Sequence, residues 1–137
     1  MREKMKNLRD VTSNILENMF FMYEETTPDQ YDQTYKYCAF INNPSLKVRI
    51  IVGEKLGSLL CKNFLGTDEV NENDILDVLK EITNMIVGNY VGKYMKDFHK
   101  NIPVPCSVYL PKEYNPDSFE HDILFYECLP LCLVMED

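Results

Sequence analysis

The chain has 137 residues and a 45% hydrophobic share, which suits one domain with a packed core and leaves too little for two. Its 14 basic and 22 acidic residues give a formal net charge of −8. No Lys/Arg cluster supplies a basic face, so no nucleic-acid partner and no anionic membrane surface is expected.

The N-terminal run Met1-Arg2-Glu3-Lys4-Met5-Lys6-Asn7 is charged, Glu17 interrupts the apolar segment that follows, and no small-residue cleavage site appears. No signal peptide is expected, and charges break every apolar stretch before it could span a membrane. The expected location is the cytoplasm. Residues 7–23 read as a first helix, with Leu8, Val11, Ile15, Met19 and Met22 at helical spacing. Pro28 in Thr26-Thr27-Pro28-Asp29 is expected to end it. An aromatic-rich strand over 31–41, the turn Asn42-Asn43-Pro44-Ser45 and a β-branched strand over 46–52 read as a hairpin. A second helix over 54–65 stops at Gly66. After the acidic connector 67–73, where Asn71 or Asn73 can cap, a long helix runs over 73–98. The segment Asn101-Ile102-Pro103-Val104-Pro105 is extended, because prolines disfavour helix at the preceding residue. Strands follow at 106–110, 119–127 and 131–135, the last two separated near Pro130. The order α-β-β-α-α-β-β-β has no linker long enough to divide it, so residues 1–137 form a single α+β domain.

The five cysteines, Cys38, Cys61, Cys106, Cys128 and Cys132, are odd in number and include no CxxC pair. Most have apolar neighbours, which suits buried reduced thiols. His99 and His121 lie far apart, neither at ligand spacing from a cysteine, so no metal site is expected.

An internal repeat links the first helix to the long one. Leu8-Arg9-Asp10-Val11-Thr12-Ser13-Asn14-Ile15 aligns without gaps on Leu79-Lys80-Glu81-Ile82-Thr83-Asn84-Met85-Ile86. Each copy precedes strands, so the chain reads as two pseudo-symmetric α-β-β halves sharing one sheet, with both helices side by side on it. In the long helix Ile75, Leu79, Ile82, Ile86 and Tyr90 form the apolar stripe. At about 100° per residue, Asp77, Glu81, Asn84, Gly88 and Gly92 fall on a different stripe. Glu81 and Asn84 stand three apart on that exposed face, where the first helix has Asp10 and Ser13. For Gly88 and Gly92 close helix packing is an equal alternative, and Met85 and Met95 read as core or helix-interface residues.

The run Asp77-x-x-x-Glu81-Ile82-x-Asn84-Met85-Ile86-x-Gly88-Asn89 resembles the signature of the CheC/CheX/FliY family of chemotaxis phosphatases. The second helix, the acidic connector, the Ile102-Pro103 segment and the first-helix ending Glu17-Asn18-Met19-Phe20-Phe21 match in order. One intact copy, one degenerate copy and single-domain length resemble CheX more than CheC or FliY. The hairpin turn departs from the pattern in having no glycine. The resemblance implies a CheC/CheX-like fold with helices on one face of the sheet. It implies an enzyme that dephosphorylates the aspartyl phosphate of a CheY-like response regulator in two-component signalling. Asn84 would position the attacking water and Glu81 would dock to the regulator's lysine, with Asp77 and Gly88 as further partner-contacting positions. No cofactor is expected on this chain, since Mg would belong to the regulator, and a homodimer through an edge among the last strands is plausible. Two other readings stay open: a non-catalytic regulator-binding adaptor of the same fold, and an unrelated α/β binding module in which Glu81 and Asn84 are plain surface.

Overall fold

The structure, a computed structural model, describes residues 2–95, 104–112, 114–116 and 119–136. Its elements are α1 (Glu3–Phe20), β1 (Tyr37–Asn43), β2 (Leu46–Val52), α2 (Glu54–Leu65), α3 (Glu72–Tyr94), β3 (Cys106–Tyr109), β4 (His121–Tyr126) and β5 (Leu129–Glu136). The order is the one read from the sequence. All five strands join one antiparallel sheet in the order β3-β1-β2-β5-β4. Of the last two strands, β4 is an edge and β5 an interior strand.

Alternation along the strands sends Tyr37, Ala39 and Ile41 of β1, Val48, Ile50 and Val52 of β2, and Leu131, Leu133 and Met135 of β5 into the main core under the helices. The opposite face carries a smaller cluster of Cys38, Ile51, Cys132 and Val134, partly covered by Leu110 and Tyr114. Helices on one face is therefore the observed arrangement. Gly57 of α2 permits close layering: a Cβ there would lie 2.9 Å from Ile75 Cγ2 of α3 and 3.3 Å from the Tyr37 ring of β1.

The two halves are related as the repeat implies. Exchanging them maps β1 onto β4 and β2 onto β5, which are central neighbours. The strand after α3, β3, pairs with β1, while the segment after α1 makes an isolated bridge from Glu25 to Phe125 of β4. The second half is thus α-β-β-β, and the first keeps only a one-residue vestige of its extra strand. The aligned threonines Thr12 and Thr83 are both fully buried, and each hydroxyl donates to the carbonyl four residues back, on Leu8 and Leu79, at 2.8 Å.

Three sequence expectations need correction. α1 ends at Phe20, well before Pro28, because Phe21 adopts a left-handed conformation (φ 56) that turns Met22 into the core. Met22 N–H then bonds to the Leu16 carbonyl at 3.0 Å. Pairing of β1 starts at Tyr37, six residues later than the aromatic run suggests. Tyr31 instead packs edge-on against Phe125, and Asp32 folds back onto Thr34. Pro130 lies inside β5, and the turn is made by Glu127 and Cys128, both at positive φ (51 and 64). The regular part of α3 ends at Tyr94, and the expected extension to Phe98 and the Ile102-Pro103 segment lie outside the described residues. Three thiols, Cys38, Cys61 and Cys132, are buried as expected, whereas Cys106 and Cys128 are exposed; all five are free. No helix among the described residues is long and apolar enough to cross a membrane.

Candidate functional site

α3 is fixed at its start by a capping box. The Asn71 side chain accepts from Asp74 N–H at 2.9 Å, and the Asp74 carboxylate accepts from Asn71 N–H at 3.0 Å. This phases the helix so that Ile75, Val78, Leu79, Ile82, Thr83, Ile86, Val87, Tyr90 and Val91 are buried. Met85 and Met95 pack against the edge of that core. The remaining arc carries Asp77, Glu81 and Asn84, all exposed, with Gly88 half-buried one turn on. Among the described residues neither Glu81 nor Asn84 has an intramolecular side-chain hydrogen bond or ion pair. Among the described residues a Cβ at Gly88 or Gly92 would meet no atom within 4 Å, so neither glycine serves close packing against a described element.

The pair lies in an open groove of about 300 Å³, lined by Asp77, Lys80, Glu81, Asn84, Val104 and Pro105. Val104 is 84% exposed and Pro105 is buried, so the second wall is a short extended segment that leads into β3. That segment is tethered to α3 through Glu72. The Glu72 carboxylate accepts from Tyr109 OH of β3 at 3.2 Å and from Tyr37 OH of β1 at 3.1 Å, and it pairs with Lys36. The hydrogen bond from Lys36, then that from Tyr37, holds the Glu72 carboxyl below its usual range. Lys36 is raised in turn, chiefly by its bond to Glu72. The sequence reading did not single out this tether. A carboxylate in the first turn of a helix suits the dipole, which is a weak signal that many helices share.

Lys80 also lines the groove. It stands three residues after Asp77, with which it forms an ion pair at 3.3 Å. Its place on the Asp77–Glu81–Asn84 arc was readable from spacing alone.

The corresponding face of α1 is closed. Arg9, aligned with Lys80, is ion-paired to both Asp122 of β4 and Glu24. Ser13, aligned with Asn84, lies beside the Tyr126 phenol, which burial pushes above the ordinary tyrosine range. Asp10 stays exposed. No group of three or more His, Cys, Asp or Glu that could hold a metal occurs among the described residues.

Comparison with known proteins follows the same division. No curated protein matches the chain. A CheX from Vibrio vulnificus superposes with a TM-score of 0.68 at 15% identity, over 98% of this chain and 95% of that one. A CheX from Desulfovibrio desulfuricans gives 0.67 at 15%, over 98% and 99%. The CheX–CheY–BeF3–Mg complex from Borrelia burgdorferi gives 0.66 at 12%, also over 98% and 99%. At these identities the structures establish the fold. The family described as chemotaxis phosphatase CheX matches residues 37–115, which is more than half the chain and takes in all of α3 but none of α1. The chain belongs to the CheX family of chemotaxis phosphatases.

Proposed function

We propose that this protein hydrolyses the aspartyl phosphate of a CheY-like response regulator, with the outer face of α3 entering the regulator's active site. The observation that carries the reading is the Glu81–Asn84 pair on α3, exposed, without side-chain partners among the described residues, in an open groove. Family membership and the fold shared with a CheX solved together with CheY support it.

The chemistry asks little of the chain. The water oxygen bonds to phosphorus, the bond from phosphorus to the aspartyl oxygen breaks, and its electron pair leaves with the carboxylate. The products are a free aspartate carboxylate and dihydrogen phosphate, which carries both of the water's protons before it equilibrates with solvent. Catalysis of such a transfer is mostly positioning and charge stabilisation. An amide suits the positioning role because it both donates to and accepts from one water and keeps a single state at every working pH. A carboxylate at Asn84 would repel the phosphoryl oxygens. Glu81, one turn back, would pair with the regulator's lysine and set the register, while the regulator supplies the Mg. Asp77 would line the same contact, and Gly88 would leave the next turn low enough for a loop of the partner. The setting would be the cytoplasm. Two copies would pair through the edge among the last strands, which is β4, and sedimentation would test that seam.

The test is phosphate loss from a phosphorylated CheY-like regulator. Asn84→Ala should lower the rate by about 100-fold, the scale for losing a positioning group, with binding retained. Glu81→Ala should weaken binding as well as turnover. An unchanged rate for Asn84→Ala would leave the adaptor reading, in which the same face binds the regulator without hydrolysing it.

A further inference from the structure

We propose that Lys80 is the residue through which this surface recognises the phosphoryl group itself, so that the phosphorylated regulator is preferred over the unphosphorylated one. The inference rests on the docking face proposed above and adds a recognition residue to it.

The groove holds two carboxylates, Asp77 and Glu81, on a chain of net charge −8. A phosphoryl group brings roughly two further negative charges. The regulator's Mg offsets part of that charge, but its lysine is drawn off by Glu81 in the docking proposed above, so a cation on the docking surface itself would offset the repulsion from Asp77 and Glu81. Lys80 is the one cationic residue lining the groove among the described residues. It shares the face geometrically, because positions 77, 80, 81 and 84 follow i, i+3, i+4, i+7 spacing. Side chains on a helix lean toward its N-terminus, so Asn84 overhangs the turn that carries Lys80 and Glu81. A phosphoryl oxygen near the Asn84 amide is then within the sweep of the Lys80 ammonium.

The pairing of Lys80 suits an exchange. Its partner Asp77 has a side chain 72% exposed, and the N···O distance is 3.3 Å. An exposed pair of this kind is weak, and the lysine stem is long, flexible and tipped with three rotatable donors. Lys80 can leave Asp77 for a stronger acceptor at little cost. Arg9, the aligned residue of α1, shows the contrasting state, with two carboxylate partners and no freedom to exchange. Asp77 thus has a defined part: it parks the ammonium in the groove and gives it up when a phosphoryl group arrives.

The test is a binding measurement, independent of turnover. A CheY-type regulator is titrated with this protein in two forms, with BeF3 and Mg as the phosphoryl mimic and with Mg alone. Lys80→Met should weaken binding of the BeF3 form about tenfold, the scale of one charge-assisted hydrogen bond, while binding of the Mg-only form stays within about twofold. Lys80→Arg should restore most of the preference. Asp77→Asn, which frees the ammonium, should tighten the BeF3 form a few-fold. Equal weakening of both forms by Lys80→Met would mean general electrostatic steering and would overturn the proposal, as would no weakening at all. Loss of turnover in Asn84→Ala alongside an inert Lys80→Met would sink this inference and leave the phosphatase reading intact. The reverse pattern would keep phosphoryl recognition and sink hydrolysis. A regulator that binds in neither form would overturn both.

Discussion

α1 and α3 carry the same eight-residue motif, lie on the same face of the same sheet, and bury equivalent threonines with the same hydroxyl-to-carbonyl bond. They differ in what the chain does next. After α1, Phe21 turns the backbone inward, and the following segment brings Glu24 onto Arg9 and Glu25 onto β4. After α3, the segment at Val104 and Pro105 stands off the helix and feeds a full edge strand. The first helix therefore ties Arg9 of its polar face to the chain's own carboxylates, and the second leaves Glu81 and Asn84 open among the described residues. Burial of the inner faces is shared, so what separates a structural helix from a candidate docking helix here is the described segment beside it: residues 22–25 close on α1, and Val104 and Pro105 face α3 across an open groove.

The largest expected effect comes from trying to move the site. Placing Asp10→Glu and Ser13→Asn in an Asn84→Ala background should leave phosphatase activity about 100-fold below wild type, because the lost positioning group is not replaced on an open face. Rescue in the phosphate-release assay would show that the closed wall around Arg9 and Tyr126 does not matter. Next comes the ion network. Arg9→Met strands the partly buried Asp122 and Glu24 without their cation and should cost about 1–2 kcal/mol in urea unfolding. Lys80→Met, at the aligned position, should cost under about 0.5 kcal/mol. Equal costs would remove the distinction between a pinned cation and one held by a single exposed pair.

The hairpins of the two halves differ in the same spirit. Both have two-residue turns, yet Glu127 and Cys128 sit at positive φ, whereas Pro44 and Ser45 do not. Glu127→Asn with Cys128→Gly should stabilise the protein by about 1 kcal/mol, since both residues tolerate that backbone. The same pair placed at Pro44 and Ser45 should destabilise it. Thermal melts would read both. The smallest effect concerns the tether that holds β3 against α3. Glu72 has its folded pKa lowered from 4.5, so its contribution is present above that value and is lost as pH falls through the lower folded value. The stability gap between wild type and Glu72→Gln should therefore be constant near neutrality and close on acidification below about pH 4.5. A gap that stayed constant from neutrality down to the onset of acid unfolding would show that the charge of Glu72 is not what holds the strand.

Sequence patterning made α3 legible because a stripe of Ile75, Leu79, Ile82, Ile86 and Tyr90 has one period and one solution. The β2 and α2 boundaries were legible for similar reasons: a β-branched run bounded by a turn, and a glycine free to close the helix at Gly66 (φ 68). The exposed Glu81–Asn84 face followed from the same wheel, and its meaning came from resemblance. The misreadings have a common cause. Phe21 and the Glu127-Cys128 turn hold left-handed backbone with side chains that seldom adopt it, so nothing local announced them. Tertiary demand settled both: Met22 had to reach the core, and β5 had to start at Leu129 to pair with β4 as far as Tyr126. The groove wall and the Glu72 tether were hidden for a different reason. They join residues distant in sequence, and single-chain periodicity carries no information about such pairs.

The pairing of β2 with β5 at the centre of the sheet also sets an order of events during synthesis. β2 is complete at Val52, but its second neighbour begins at Leu129, and Arg9 waits for Asp122, a separation of 113 residues. Until β4 and β5 leave the ribosome, the nascent chain exposes one long edge of β2 and the apolar underside of α1. Contacts this distant slow folding and lengthen the time an unpaired strand is available to other chains. Chains halted before Leu129 should therefore aggregate or hold chaperones, while chains released after Glu136 should not, which makes the late hairpin the step that commits the molecule to its fold.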